Sequence, residues 1–192
     1  PDHVNYDESI KEAIKIAKNS VDIKSLKKAV ANFEGCNLKF TAKHLIFGQG
    51  NENAKIMLVG ESPGRDEDLV GHAFAGSNGN MLDQILKSIG INREDVWLSY
   101  LIPWRSAGGV APNAVNIDIC KPFLLRQIEL IEPTIIILFD GLVSKVLTGQ
   151  NASIINLRGK FANVEVGEKT YNAIPTYHPQ LLLNNGAYKQ AV

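Results

Sequence analysis

Two short segments carry residue types able to do chemistry. Gly60-Glu61-Ser62-Pro63-Gly64 sets an acid between two glycines and a proline. Such a loop can press its backbone against a ligand, and its N–H groups, with a helix start behind them, would suit an anion. It is not a Walker A loop, because no Gly-Lys-Ser/Thr follows, and G-x-G-x-x-G is absent as well. A tight strand-to-helix turn with a solvated Glu has the same look, so the pattern leaves both readings open. The second segment is Thr176-Tyr177-His178-Pro179-Gln180. A residue before proline is kept out of the helical region, so the His178 imidazole projects from a fixed, extended backbone. Imidazole titrates near neutral pH and serves as acid, base or donor, although a lone histidine is more often structural.

These segments need elements to hold them. Residues 1–32 read as helical: Ile10, Ala13, Ile14 and Ala17 share one face, and Leu26, Ala29, Val30 and Phe33 repeat the pattern. Asp7 and Asp22 are candidate caps. Residues 34–53 are turn-rich. Short apolar runs then alternate with helical patterns. Strands are expected at 55–59, 96–101 and 134–139, with a final pair at 161–166 and 170–174 around Gly167-Glu168. Helices are expected near Met81–Ile89, stopped by Gly90, and at Ile117–Ile131 and Gly141–Leu147, with a short one from Tyr188 onward. That alternation implies right-handed crossovers and an α/β fold, a three-layer α/β/α sandwich around a central, mainly parallel sheet. The expected organisation is one domain over 1–192, with the helical segment 1–32 packed on it. In such sheets ligands sit beyond the carboxyl ends of the strands. The loops singled out are therefore 60–76, 101–113, Asp140-Gly141 and 175–183.

Composition narrows the partners. Lys plus Arg and Asp plus Glu stand at 20 each, so a polyanion would have to be held by a local basic patch. Apolar runs fall far short of the roughly 20 residues that span a bilayer. No charged-then-apolar leader opens the sequence. The expectation is a monomer in the cytoplasm with no membrane partner. The two cysteines, Cys36 and Cys120, are too few for a disulfide scaffold or a self-contained zinc site.

Seven segments in order resemble the family 4 uracil-DNA glycosylases. They are Phe47–Asn51, Gly60–Asp68, Gly71–Gly76, Pro103-Trp104-Arg105, Cys120–Leu124, Leu157-Arg158-Gly159 and Thr176–Pro179, and the match runs from Phe33 to Leu183. The Pro-Trp-Arg variant is most similar to α-proteobacterial members, some of them labelled as phage-type DNA polymerase domains. The resemblance implies a four-stranded parallel sheet between helices and an enzyme that hydrolyses the N-glycosidic bond of uracil in DNA, after the base has swung out of the stack. It implies Glu61 and His178 as the catalytic pair, and Phe74 as the ring that stacks on uracil. Gly60, Ser62, Pro63, Gly64, Tyr100 and Pro179 fall at substrate-binding positions. Arg105, Arg158, Leu181 and Leu182 are candidate DNA contacts, with Pro179–Leu183 filling the space the base vacates. Lys39, Lys43, Arg126 and Lys160 are further candidate phosphate contacts.

The sequence also departs from the family pattern. The family carries four cysteines that hold a [4Fe–4S] cluster, and their positions here are Phe33, Cys36, Trp104 and Cys120. Two thiols cannot replace four thiolate ligands, so no cluster and no other cofactor or metal is expected. The family's uracil-reading Asn, in a Thr-Asn pair, becomes Tyr100 in Ser99-Tyr100; a one-residue shift would put Ser99 there instead. An asparagine offers an acceptor and donors, whereas tyrosine offers one hydroxyl, and its ring is large enough to fill the base pocket. Ala73 and Ala75 stand for Pro and Val, residues 106–113 lack Gly-Asn-Arg, and Asn184 stands for Arg. Three readings follow: an active uracil-DNA glycosylase; a glycosylase-fold DNA-binding or partner protein with lost or altered base selectivity; or a small-molecule or nucleotide-binding protein of the same architecture.

Overall fold

The structure, a computed structural model, describes residues 5–191. Asp22 caps α2 (Ile23–Asn32) by accepting from the Ser25 amide, a reciprocal capping box. At α1 (Tyr6–Asn19) the cap position is Asn5 and makes no side-chain bond, while Asp7 lies in the first turn, where it favours the helix dipole. Ala13 and Ala17 of α1 are buried, and this helix packs on the long helix α5 (Ala114–Ile131).

Among the described residues the sheet has six strands: β1 (Gln49–Gly50), β2 (Ile56–Gly60), β3 (Trp97–Tyr100), β4 (Ile135–Phe139), β5 (Ala162–Val166) and β6 (Lys169–Thr176). They lie in the order β1-β3-β2-β4-β6-β5. The four central strands run parallel, as expected, and each edge adds an antiparallel strand. The β5–β6 pair is the hairpin around Gly167, which takes a φ of 60°. The two-residue edge β1 lay in the segment read as turns.

Both faces of the sheet are covered. Met57, Val59, Ile136, Leu138 and Ala173 point to one core, shared with α1, α2, α5 and α6 (Asp140–Thr148). Leu58, Leu98 and Phe139 point to the other, shared with Leu82 and Leu86 of α4 (Gly76–Ser88). Strand alternation sends neighbouring residues to opposite layers, and this decides the Ser99–Tyr100 question. Ser99 faces α5, where its hydroxyl and the Trp97 indole N–H both donate to the Gln127 carbonyl oxygen at 2.7 and 2.9 Å. Tyr100 faces the opposite layer. No helix among the described residues is long and apolar enough to cross a membrane.

Candidate active site at the carboxyl ends of four parallel strands

Each parallel strand delivers one residue to the same cavity. Glu61 follows β2, Tyr100 ends β3, Asp140 follows β4, and His178 lies two residues past β6. The cavity holds about 330 Å³, the small end of the ~300–1,000 Å³ typical of ligand pockets. Ser62, Gly64, Asn78, Phe139, Gln180 and Leu181 also line it.

The Gly60–Gly64 loop is stapled in place. Gly64 starts α3 (Arg65–Val70), a helix hidden in the glycine-rich stretch. Glu67 reaches back to accept the Gly64 amide at 2.9 Å, and its other oxygen accepts the Ala75 amide at 3.0 Å. One buried carboxylate thus ties the Glu61 loop to the Phe74 loop. The neighbouring Asp68 accepts the Lys43 and His44 amides. These two acids are taken up by backbone amides, although Glu67 also borders the cavity; no hydrogen bond to a described residue engages the Glu61 carboxylate there. Pro63 is buried behind the loop. Gly60 is needed for its lack of a side chain, since a Cβ there would lie 3.0 Å from the Tyr100 ring and 3.1 Å from that of Phe74.

His178 caps α8 (Pro179–Asn184), and its Nδ1 accepts the Gln180 amide at 3.1 Å. An accepting Nδ1 places the ring proton on Nε2, so the imidazole has a donor to offer. Burial pushes the imidazolium below its ordinary range, with Asp140 opposing in part. The ring is therefore neutral at pH 7. Its backbone amide donates to Asp140 at 3.2 Å. Burial, and next the Asp140 charge, push the Glu61 carboxyl above the ordinary glutamate value.

The aromatic wall is arranged differently from the expectation that Phe74 meets the base. Phe74 is 1% exposed, and its face is already taken. Tyr100 stacks on it with ring centroids 4.9 Å apart and planes 15° off parallel. The Tyr100 hydroxyl accepts the Phe74 amide at 2.8 Å. Tyr100 and Phe139 are the rings that line the cavity. Phe74 itself sits at a φ of 47°, unusual for a bulky residue. Arg93 holds it there by donating to the carbonyls of Ala73, Phe74 and Gly79 at 2.8, 2.8 and 3.3 Å, with Asp83 on its Nε.

The candidate DNA contacts separate. Pro179–Leu183 is not an extended loop, because Pro179 starts α8 and packs it against α4. Leu181 lines the cavity. Leu182 is 1% exposed and belongs to the core, which removes it as a DNA contact; Leu183 is the exposed leucine. Arg105 is half-buried, while Arg158 lies over the Tyr177 ring at 5.4 Å. Lys43 and Lys160 are exposed. Two other cations are engaged inside the fold. Lys39 donates to the Ala31 and Phe33 carbonyls at the end of α2. Arg126 pairs with Glu129 and the Ser20 carbonyl, joining α5 to α1.

At the four positions implied for a cluster, Phe33 and Trp104 are each 2% exposed and the two thiols are fully buried. The sulfurs lie 3.8 Å apart, with Cys120 donating to Cys36 and Cys36 to Asn116. That bond holds the Cys120 thiol protonated, above its ordinary range. Phe33 packs edge-on against Phe123. Among the described residues no three metal-binding side chains come together. The donor set does not fit a four-thiolate cluster.

Asp140 lay in a loop that the strand-end rule singled out but was given no role there, and Asn78 was not singled out. Asp140 had a signal, since Asp140-Gly141 ends a parallel strand. Its φ of 70° turns it into the site. Asn78 had none, because a polar residue in a first helical turn is commonplace.

The profile of the Uracil DNA glycosylase superfamily matches residues 47–192. A type-4 uracil-DNA glycosylase of Archaeoglobus fulgidus is 35% identical over 152 residues, which span 77% of this chain and 76% of the relative. The type-4 enzyme of Thermotoga maritima is also 35% identical, over 78% of this chain and 77% of its own. A DNA polymerase of Bacillus phage SP01 is 31% identical over 74% of this chain but only 15% of its own length. With its three layers and its strand-end site, the chain belongs to the uracil-DNA glycosylase superfamily, among the type-4 members.

Proposed function

We propose that this protein is a DNA-repair glycosylase that hydrolyses the N-glycosidic bond of uracil in DNA and leaves an abasic site. The observation that carries the reading is the convergence of Glu61 and a neutral His178, with its proton on Nε2, on one base-sized cavity. As the C1′–N1 bond breaks, its electron pair leaves with the uracil and the sugar becomes cationic. The His178 Nε2–H donates to the uracil oxygen that gathers the negative charge. Glu61, when ionised, offsets the sugar cation and accepts the proton of the water that attacks C1′. A carboxyl held above its ordinary pKa is the better base for that step. Leu181, which lines the cavity, and the exposed Leu183, both on α8, fill the space that the base leaves. The reading assigns no step to an iron–sulfur cluster, and what supports this is the buried Phe33 and Trp104 and the Cys36–Cys120 pair at the four family ligand positions.

One observation favours a second reading. Tyr100 occupies the Phe74 face and removes the amide that reads uracil in the resembling family, as a protein with altered base selectivity would require. A single-uracil oligonucleotide, incubated with the protein and treated with alkali, separates the two. Strand scission that His178→Ala reduces by at least ~100-fold supports the glycosylase, since one oxyanion donor is worth about 10²–10³ in rate. No scission beside an active control enzyme moves the choice to the second reading. In that event Tyr100→Asn is expected to restore scission.

A further inference from the structure

Replacement of the family asparagine by Tyr100 leaves open which group reads the base. Tyr100 cannot do it alone, since its hydroxyl accepts the Phe74 amide. Its one remaining proton cannot match an edge that alternates acceptor and donor. Three side-chain amides line the cavity: Asn78, Gln180 and Asn184. Gln180 and Asn184 are exposed, and Asn78 is half-buried. The Asn78 side chain makes no hydrogen bond to any described residue. A half-buried amide without an internal partner costs free energy unless water or a ligand satisfies it.

Its placement is as specific as its lack of partners. Asn78 lies in the first turn of α4, four residues past Phe74. That turn is fixed. Gly79 lies so close beneath Phe74 that an added Cβ would be 1.9 Å from the Phe74 carbonyl oxygen, and Arg93 bonds the carbonyls of both residues. α4 packs against α8, so the helix starts that carry Asn78 and His178 flank the same cavity. We infer that Asn78 is the base-reading residue of this chain and supplies from α4 the amide that β3 no longer provides. The inference rests on the uracil reading above. With His178 donating to one carbonyl, the Asn78 oxygen accepts the uracil N3–H and its amino group donates to the other carbonyl. No step of bond cleavage passes through Asn78, so its contribution is to hold and select the base.

The test pairs excision kinetics with binding of free uracil. Asn78→Ala is expected to lower kcat/KM on the uracil oligonucleotide by about 10- to 100-fold, the size of a bidentate amide–base pair. Its melting temperature should stay at the wild-type value, because no internal bond is lost. In wild-type protein, free uracil should shift the Asn78 side-chain NH₂ resonances in ¹H–¹⁵N spectra. Wild-type kinetics in Asn78→Ala, or resonances unmoved by saturating uracil, would overturn the inference while leaving the glycosylase reading intact. A wild-type protein that neither excises nor binds uracil would overturn both.

Discussion

Half-buried beside the Asp140 carboxylate, Glu61 holds its proton above the ordinary glutamate value of 4.5. The unfolded chain releases that proton more readily than the folded one. Folding is therefore penalised as pH rises from 4.5 through the folded value, and the penalty is complete above it. Glu61→Gln is thus expected to raise the melting temperature at pH 7.5 and to leave it nearly unchanged at pH 4, while excision is lost. Thermal melts of both proteins at the two pH values check this; an unchanged or lower melting temperature at pH 7.5 would contradict it. Stability given up for a charged catalytic group is a common feature of active sites. The residue type and position of Glu61 and His178 were legible in the sequence, because a glycine-rich loop after a strand and a His-Pro step are local features. The ring proton on Nε2 was not, since it depends on the Gln180 amide that α8 folds back onto Nδ1.

At the scale of elements, the Phe74 segment between α3 and α4 is the part under most constraint. A left-handed phenylalanine is held by Arg93 from the loop beyond α4, by the Tyr100 hydroxyl from β3, and by Glu67 at the next amide. Arg93→Ala should cost about 2–3 kcal/mol, since it strips a charged donor from buried carbonyls. It should also slow excision by loosening the wall behind Tyr100. Urea denaturation and the oligonucleotide assay measure the two effects, and a loss under ~0.5 kcal/mol would show that Arg93 does not hold the loop. The helix α3 escaped the sequence reading because six residues show no apolar periodicity. Its signal was the acidic run Asp66-Glu67-Asp68 after Gly64, which suits a helix start and lets Glu67 act as a cap. The strands and the longer helices were legible because their apolar periods are complete.

Over the whole molecule, α2 is joined to α5 and to the segment after β3 through Phe33, Cys36, Trp104, Cys120 and Phe123, all buried in one cluster. Apolar packing there is worth about 25 cal/mol per Å² removed from water, so it can tie these segments without a metal. Protein purified without oxygen is expected to contain no stoichiometric iron by elemental analysis and no visible absorbance; iron at cluster stoichiometry would refute this. The candidate cations divide at the same scale: Arg126 joins α5 to α1, whereas Lys43 and Lys160 stay exposed.

The sequence by itself determined the layered α/β architecture, the parallel core of the sheet, and the loops at its strand ends. Periodicity, glycine and proline are local signals, and the strand-end rule needs only element order. Seven motifs in register also carried the family. Only the tertiary structure decided which side chains meet. Strand alternation sent Tyr100 to the cavity and Ser99 to α5, and Tyr100 closed over Phe74. The left-handed turn after β4 brought Asp140 to His178, and the packing of α4 on α8 brought Asn78 to the same cavity. These contacts join residues far apart in sequence, and no local pattern encodes them.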